Sequence, residues 1–184
     1  MNQLQSLLEG YQPGRLPKVI RSGLSYQQHQ DWTKQKLTML LEQYHKQESY
    51  DQTTQLIRKD FDQTLRSFHQ YCIEENVGAH YCEMGIDQGE ATEFEHVIPE
   101  RLVREAVFVG KLTLIQAMNT PTCRLRTTKH LELGKQGWGQ STPDPFWFWR
   151  RYLNIDVEIK TRDGVSVDLN TWNLNTHYKH FGVI

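Results

Sequence analysis

Residues 93–133 read EFEHVIPERLVREAVFVGKLTLIQAMNTPTCRLRTTKHLEL and hold the one chemically specific arrangement of polar residues in the chain: Glu95-His96, Asn119 and His130. The His-Val-Ile-Pro step sets an imidazole at the edge of a short apolar run. Pro99 ends that run, because proline lacks the donor needed to extend a sheet ladder. A reactive histidine would be held rigidly there. Residues 94–98 read as a short strand, and 101–109 and 112–118 as two short helical pieces parted by Gly110, with Val103, Val107, Leu112 and Ile115 inward. Thr120-Pro121 breaks the second piece, 123–126 alternates as another strand, and Thr127 or Thr128 is placed to cap a helix carrying His130 to about Gly134.

Upstream, the pattern is helical. Residues 2–9 suit a short helix around Leu4, Leu7 and Leu8, and 10–23 form a Pro/Gly-punctuated arm with Arg15, Lys18 and Arg21, read as a solvated connector. Ser25 followed by Gln28 makes a capping box for a helix to about Gln47, with Leu37, Leu40, Leu41 and Tyr44 on its apolar side. Asp51 caps a second, in which Ile57, Phe61, Leu65, Phe68 and Cys72 recur at spacings of three and four. The two should pair as an antiparallel hairpin. The glycines at 78, 85 and 89 mark loops before the central stretch.

Downstream, FWFWRRYL at 146–153 reads as an aromatic-rich helix that packs the lobes together. Residues 156–161 and 165–169 flank Asp163-Gly164, a hairpin turn signal, and His177 and His180 read as exposed polar residues of a tail. The expected class is α+β, in three parts: a helical lobe at 1–75, a strand-strand-helix unit with a helical insert at 76–135, and a helix and hairpin extension at 136–184, compact overall.

A strand ending in His96, Asn119 before a second strand and His130 on the following helix resembles the HNH family of His-Me finger (ββα-metal) endonucleases, with Glu95 in place of the acidic residue before the first histidine. TCRLRTTKHLEL is similar to the second strand and helix start of such enzymes, and the resemblance covers about 40 of the 184 residues. It implies a metal-dependent endonuclease acting on double-stranded DNA. The residue types suit that chemistry. An unperturbed imidazole titrates near ~6.5 and can take a proton from water at neutral pH, which makes His96 the candidate base. Glu95 offers an oxygen ligand and His130 a nitrogen ligand for Mg²⁺ or Mn²⁺, with water and phosphate in the other positions. Asn119, with donor and acceptor on one amide, suits bracing of the loop that aims His96, and the resemblance implies the same; it also competes with His130 for the second ligand position.

Charge agrees with such a substrate. The net charge is −1, yet between Arg101 and Lys135 seven cations (Arg101, Arg104, Lys111, Arg124, Arg126, Lys129, Lys135) face two carboxylates, Glu105 and Glu132. Cations so clustered supply sequence-independent affinity for phosphates. No apolar run is long enough to span a membrane and the first ten residues lack a secretory pattern, so the expected location is cytoplasmic. The odd cysteine count, three, fits a reducing compartment. Cys72, His80, Cys82 and Cys123 are a conceivable structural zinc set, but compact CxxC pairs are missing and buried thiols are the better reading. A homodimer is compatible with the flanks. The competing functions are a nucleic-acid-binding module without cleavage and a structural or adaptor protein.

Overall fold

The computed structural model describes residues 24–48, 51–74 and 77–184 and divides the chain into two units, Met1–Asn76 and Val77–Ile184. The helix expected at 2–9 and the basic arm at 10–23 lie outside the described residues.

In the first unit, α1 (Tyr26–His45) starts where Ser25 Oγ accepts from the Gln28 backbone amide at 3.3 Å while Gln28 Oε1 accepts from Ser25 N at 2.8 Å. This reciprocal pair satisfies two donors that a helix start would otherwise orphan. Helix α2 (Gln52–Phe68) is capped by Asp51, which accepts from Thr54 N at 3.0 Å. The two helices pack together, burying Trp32, Leu37 and Leu40 from one and Ile57, Phe61, Leu65 and Phe68 from the other. The chain continues as a π-helical turn over His69–Glu74, which buries Cys72.

The second unit is built on a five-stranded sheet in the order β2-β3-β1-β4-β5, with β1 Tyr81–Glu83, β2 Thr92–His96, β3 Thr122–Arg126, β4 Ile159–Thr161 and β5 Ser166–Val167. Only the β1–β3 pair is parallel. The protein is therefore α+β. Between β2 and β3 lie α3 (Glu100–Phe108) and α4 (Leu114–Met118), and β3 runs directly into α5 (Thr127–Lys135), which packs on β2 and β3. A strand-strand-helix unit with a helical insert is thus present as geometry. Residues 136–184 are no appendage to it, because β4 pairs with β1 and completes the same sheet.

Several local expectations need correction. Strand β1 falls where the sequence shows only loop signals, because three residues flanked by glycines are too few to display an alternation. Thr127 and Thr128 do not cap α5: Thr127 N donates to Ala91 O at 2.9 Å as the ladder ends, and Arg126 stands at the cap without a side-chain bond to the helix. In α4 a capping box from Thr113 starts the helix late, leaving Leu112 half-buried and Ile115 exposed while Ala117 and Met118 are buried. The aromatic segment is a 3₁₀ turn, Phe148–Tyr152, because the Asp144 carboxylate accepts from Phe146 N at 2.9 Å and Trp147 N at 3.3 Å and bends the chain. His177 is not an exposed tail residue but a buried member of α6 (Leu174–His180), and His180 is half-buried against Asp163. Among the described residues no helix is long and apolar enough to cross a membrane.

Candidate active site

Strand alternation decides the site. Glu95 pairs with Cys123 and His96 with Thr122 across the antiparallel β2–β3 ladder, so successive side chains leave by opposite faces. His96 shares its face with Phe94, their rings 5.4 Å apart edge to face. Glu95 goes the other way and is buried.

The Glu95 carboxylate has two partners. Its Oε1 pairs with Nη2 of Arg151, a guanidinium with no exposed side-chain surface, and its Oε2 lies 2.8 Å from Nδ1 of His130, whose side chain is 39% exposed. The second contact lies off the N–H direction, so the buried Nδ1 makes no hydrogen bond. An isolated buried carboxylate would cost several kcal/mol, and Arg151 offsets that by charge.

His96 contacts a different carboxylate. Its Nδ1 lies 3.3 Å from Glu100 Oε1, four residues on, in the first turn of α3 where the helix dipole favours an anion. Its Nε2 is shielded from solvent.

The side chain of Asn119 does not brace the loop that aims His96. Its Nδ2 donates to Ile115 O at 2.8 Å and closes the end of its own helix α4. Bracing comes from its backbone instead. His177 Nε2 donates to Asn119 O at 2.7 Å, Tyr81 Oη donates to His177 Nδ1 at 2.7 Å, and Trp172 Nε1 donates to Tyr81 Oη at 2.9 Å. Since a carbonyl only accepts, Nε2 must carry the proton and every proton in the chain is assigned. Burial drives His177 down to about 3 despite the opposing pull of the Asn119 carbonyl, and pushes the Tyr81 phenol up. Two residues beyond Asn119, Pro121 O accepts from Val97 N at 3.1 Å, beside His96.

No family model, curated protein or solved structure matches this chain.

The Glu95–His130 pair has the spacing of two metal ligands. Donors ~2.1 Å from an octahedral ion and at right angles to each other stand about 3.0 Å apart. A buried Nδ1 without a hydrogen bond, 2.8 Å from a carboxylate oxygen, therefore fits an Mg²⁺ or Mn²⁺ ion. No third His, Cys, Asp or Glu joins them among the described residues, which leaves the other positions to water and phosphate oxygens. Of the conceivable zinc set, His80 turns its Nδ1 to Thr122 Oγ1 at 2.9 Å. Cys82 is half-buried and Cys123 buried.

The expected phosphate-gripping cations divide by employment. Arg101, Lys111 and Lys135 are exposed. Arg104 is buried and holds Glu105 Oε1 through Nη2 at 2.7 Å, Arg124 donates to Thr92 Oγ1 at 2.8 Å, and Lys129 sits 3.4 Å from Glu132. Arg126 ties the sheet together, pairing with buried Glu83, with Glu90 at 3.0 Å and with Gly85 O.

Three contributors escape the sequence reading. Glu100 was within reach, as an acidic residue four after a histidine and at a helix start. Arg151 and the His177–Tyr81–Trp172 chain act across long sequence separations that local pattern does not encode.

Proposed function

We propose that this protein is a metal-dependent DNA endonuclease of the HNH kind, of restriction, homing or phage type. The observation that carries the reading is the pairing of Glu95 on β2 with His130 on α5 at 2.8 Å, inside a strand-strand-helix unit whose first strand ends on His96. When bound there, the ion would act as a Lewis acid, neutralising charge on the scissile phosphate and the leaving oxygen.

The chain's own residues supply the rest. Glu95 Oε2 and His130 Nδ1 hold the ion, and exposed Arg101, Lys111 and Lys135 grip flanking phosphates. His96 takes the proton of the attacking water as its oxygen bonds to phosphorus and the bond to the 3′ oxygen breaks. Because His96 leaves β2 by the face opposite to Glu95 and its Nε2 is shielded, this step requires the end of β2 and its corner with α3 to turn on DNA so that the imidazole reaches the ion site. A double-stranded target cut on both strands would call for a homodimer.

That same shielding favours one second reading, a DNA-binding module without cleavage. Supercoiled plasmid incubated with wild type or His96→Ala, in Mg²⁺, Mn²⁺ or EDTA, separates the two. The endonuclease reading expects metal-dependent nicking that falls by about 10²–10⁴-fold in the variant while binding persists. Plasmid that stays intact with every metal, yet is bound in a salt-dependent manner, assigns the binding module instead.

A further inference from the structure

We infer that Arg151 is the positioning residue of the ion site, holding Glu95 to one donor oxygen; this rests on the metal-dependent reading above. Glu95 Oε1 is taken by Arg151 Nη2, so only Oε2 faces His130 Nδ1. The guanidinium is fixed from several sides. Its Nη1 donates to Ser141 O at 3.3 Å, it stacks 5.1 Å from the Tyr152 ring, and it rides on the 3₁₀ turn anchored by Asp144. Neither Glu95 nor Arg151 has room to exchange partners with solvent, because both are buried.

The consequence is selectivity. A carboxylate with both oxygens available chelates a large ion in the bidentate manner that suits Ca²⁺, with six to eight ligands at about 2.3–2.6 Å. One with a single available oxygen beside an imidazole nitrogen suits a small octahedral ion at about 2.0–2.1 Å.

Mn²⁺ and Ca²⁺ titrations of the full chain, followed calorimetrically for wild type, Arg151→Lys and Arg151→Met and paired with thermal melts, test the assignment. Glu95→Gln and His130→Ala serve as site-loss controls. Folded Arg151→Met should shift the Mn²⁺-over-Ca²⁺ affinity ratio toward Ca²⁺ by at least about tenfold, the scale of outer partners of metal ligands. Arg151→Lys, which keeps the charge and loses the fork, should fall between, and it carries the same ratio test if the Met variant does not fold. An unchanged ratio, with Mn²⁺ binding still lost in Glu95→Gln, overturns the positioning role and leaves the metal site standing. Wild type that binds Mn²⁺ no better than the two controls overturns both.

Discussion

His177 Nε2 donates to the carbonyl oxygen of Asn119 at 2.7 Å and so ties α6 to the turn that leads into β3. The imidazole is fully buried, next to Tyr81, Phe148, His80 and Phe181, with Arg162 and His180 adding positive charge nearby. Burial and both of those cations favour the neutral ring, and the Asn119 carbonyl pulls the other way.

Acid should therefore loosen the second unit well above the carboxylate range. His177 is held down to about 3 in the folded chain, chiefly by burial, against ~6.5 when unfolded. Above that unfolded value both states are neutral and the stability is complete. As pH falls from there toward 3 the unfolded chain gains a proton that the folded chain refuses, and stability drops by up to ~1.4 kcal/mol per pH unit. Urea unfolding of wild type and His177→Gln between pH 7 and pH 4.5 checks this. The variant should lose most of the slope over that window, whereas parallel pH dependence in the two proteins would remove His177 as its source.

The cations make a second test, since exposure and not sequence proximity should decide which of them bind DNA. Arg126 is spent on Glu83, Glu90 and Gly85 O, while Arg101 and Lys135 point outward. Arg101→Ala with Lys135→Ala should reduce the slope of log affinity against log salt by about 2, roughly one per phosphate contact. Arg126→Ala should leave the slope alone and lower stability instead, because it strands the buried carboxylate of Glu83. A reduced slope for Arg126→Ala would reverse the division.

Asn119 gives a third. Its side chain ends α4, so Asn119→Ala should cost about 1 kcal/mol, the worth of one exposed hydrogen bond, and leave any plasmid cleavage within about threefold of wild type. A loss of cleavage comparable to that of His96→Ala, at unchanged stability, would return the amide to the site.

How much of this was legible in the sequence follows from the range of each interaction. The caps at Ser25 and Asp51, the helices around Gly110 and the turn at Gly164, where φ is +94°, are local, and residues three or four apart specify them. The closeness of Glu95 and His130 was legible as an expectation because their order along the chain resembles a known motif, whereas His96 leaves by the other face of β2 and meets Glu100 instead. Strand β1 was hidden because its partners, β3 and β4, lie some 40 and 80 residues further along the chain, and three residues carry no period of their own. The buried role of Arg151 was hidden for the same reason. Arginine in FWFWRRYL looks like a charge on an aromatic helix until the 3₁₀ turn sends it under Glu95.

The Arg151–Glu95 pair should be costly to halve and cheap to remove whole. Arg151→Met leaves Glu95 buried with a half-exposed imidazole nearby, and Glu95→Leu leaves a fully buried guanidinium that keeps Ser141 O and the Tyr152 ring but no carboxylate. Each single change should lose about 3–5 kcal/mol, the scale for stranding one buried charge. The double variant replaces both charges with apolar volume and should recover most of that loss, so the two effects fail to add by about 2 kcal/mol or more. A double-mutant cycle in urea at pH 7 measures the coupling directly. Additive losses would mean that the two side chains contribute separately and that the ion pair is not what secures β2 to the Phe148–Tyr152 turn.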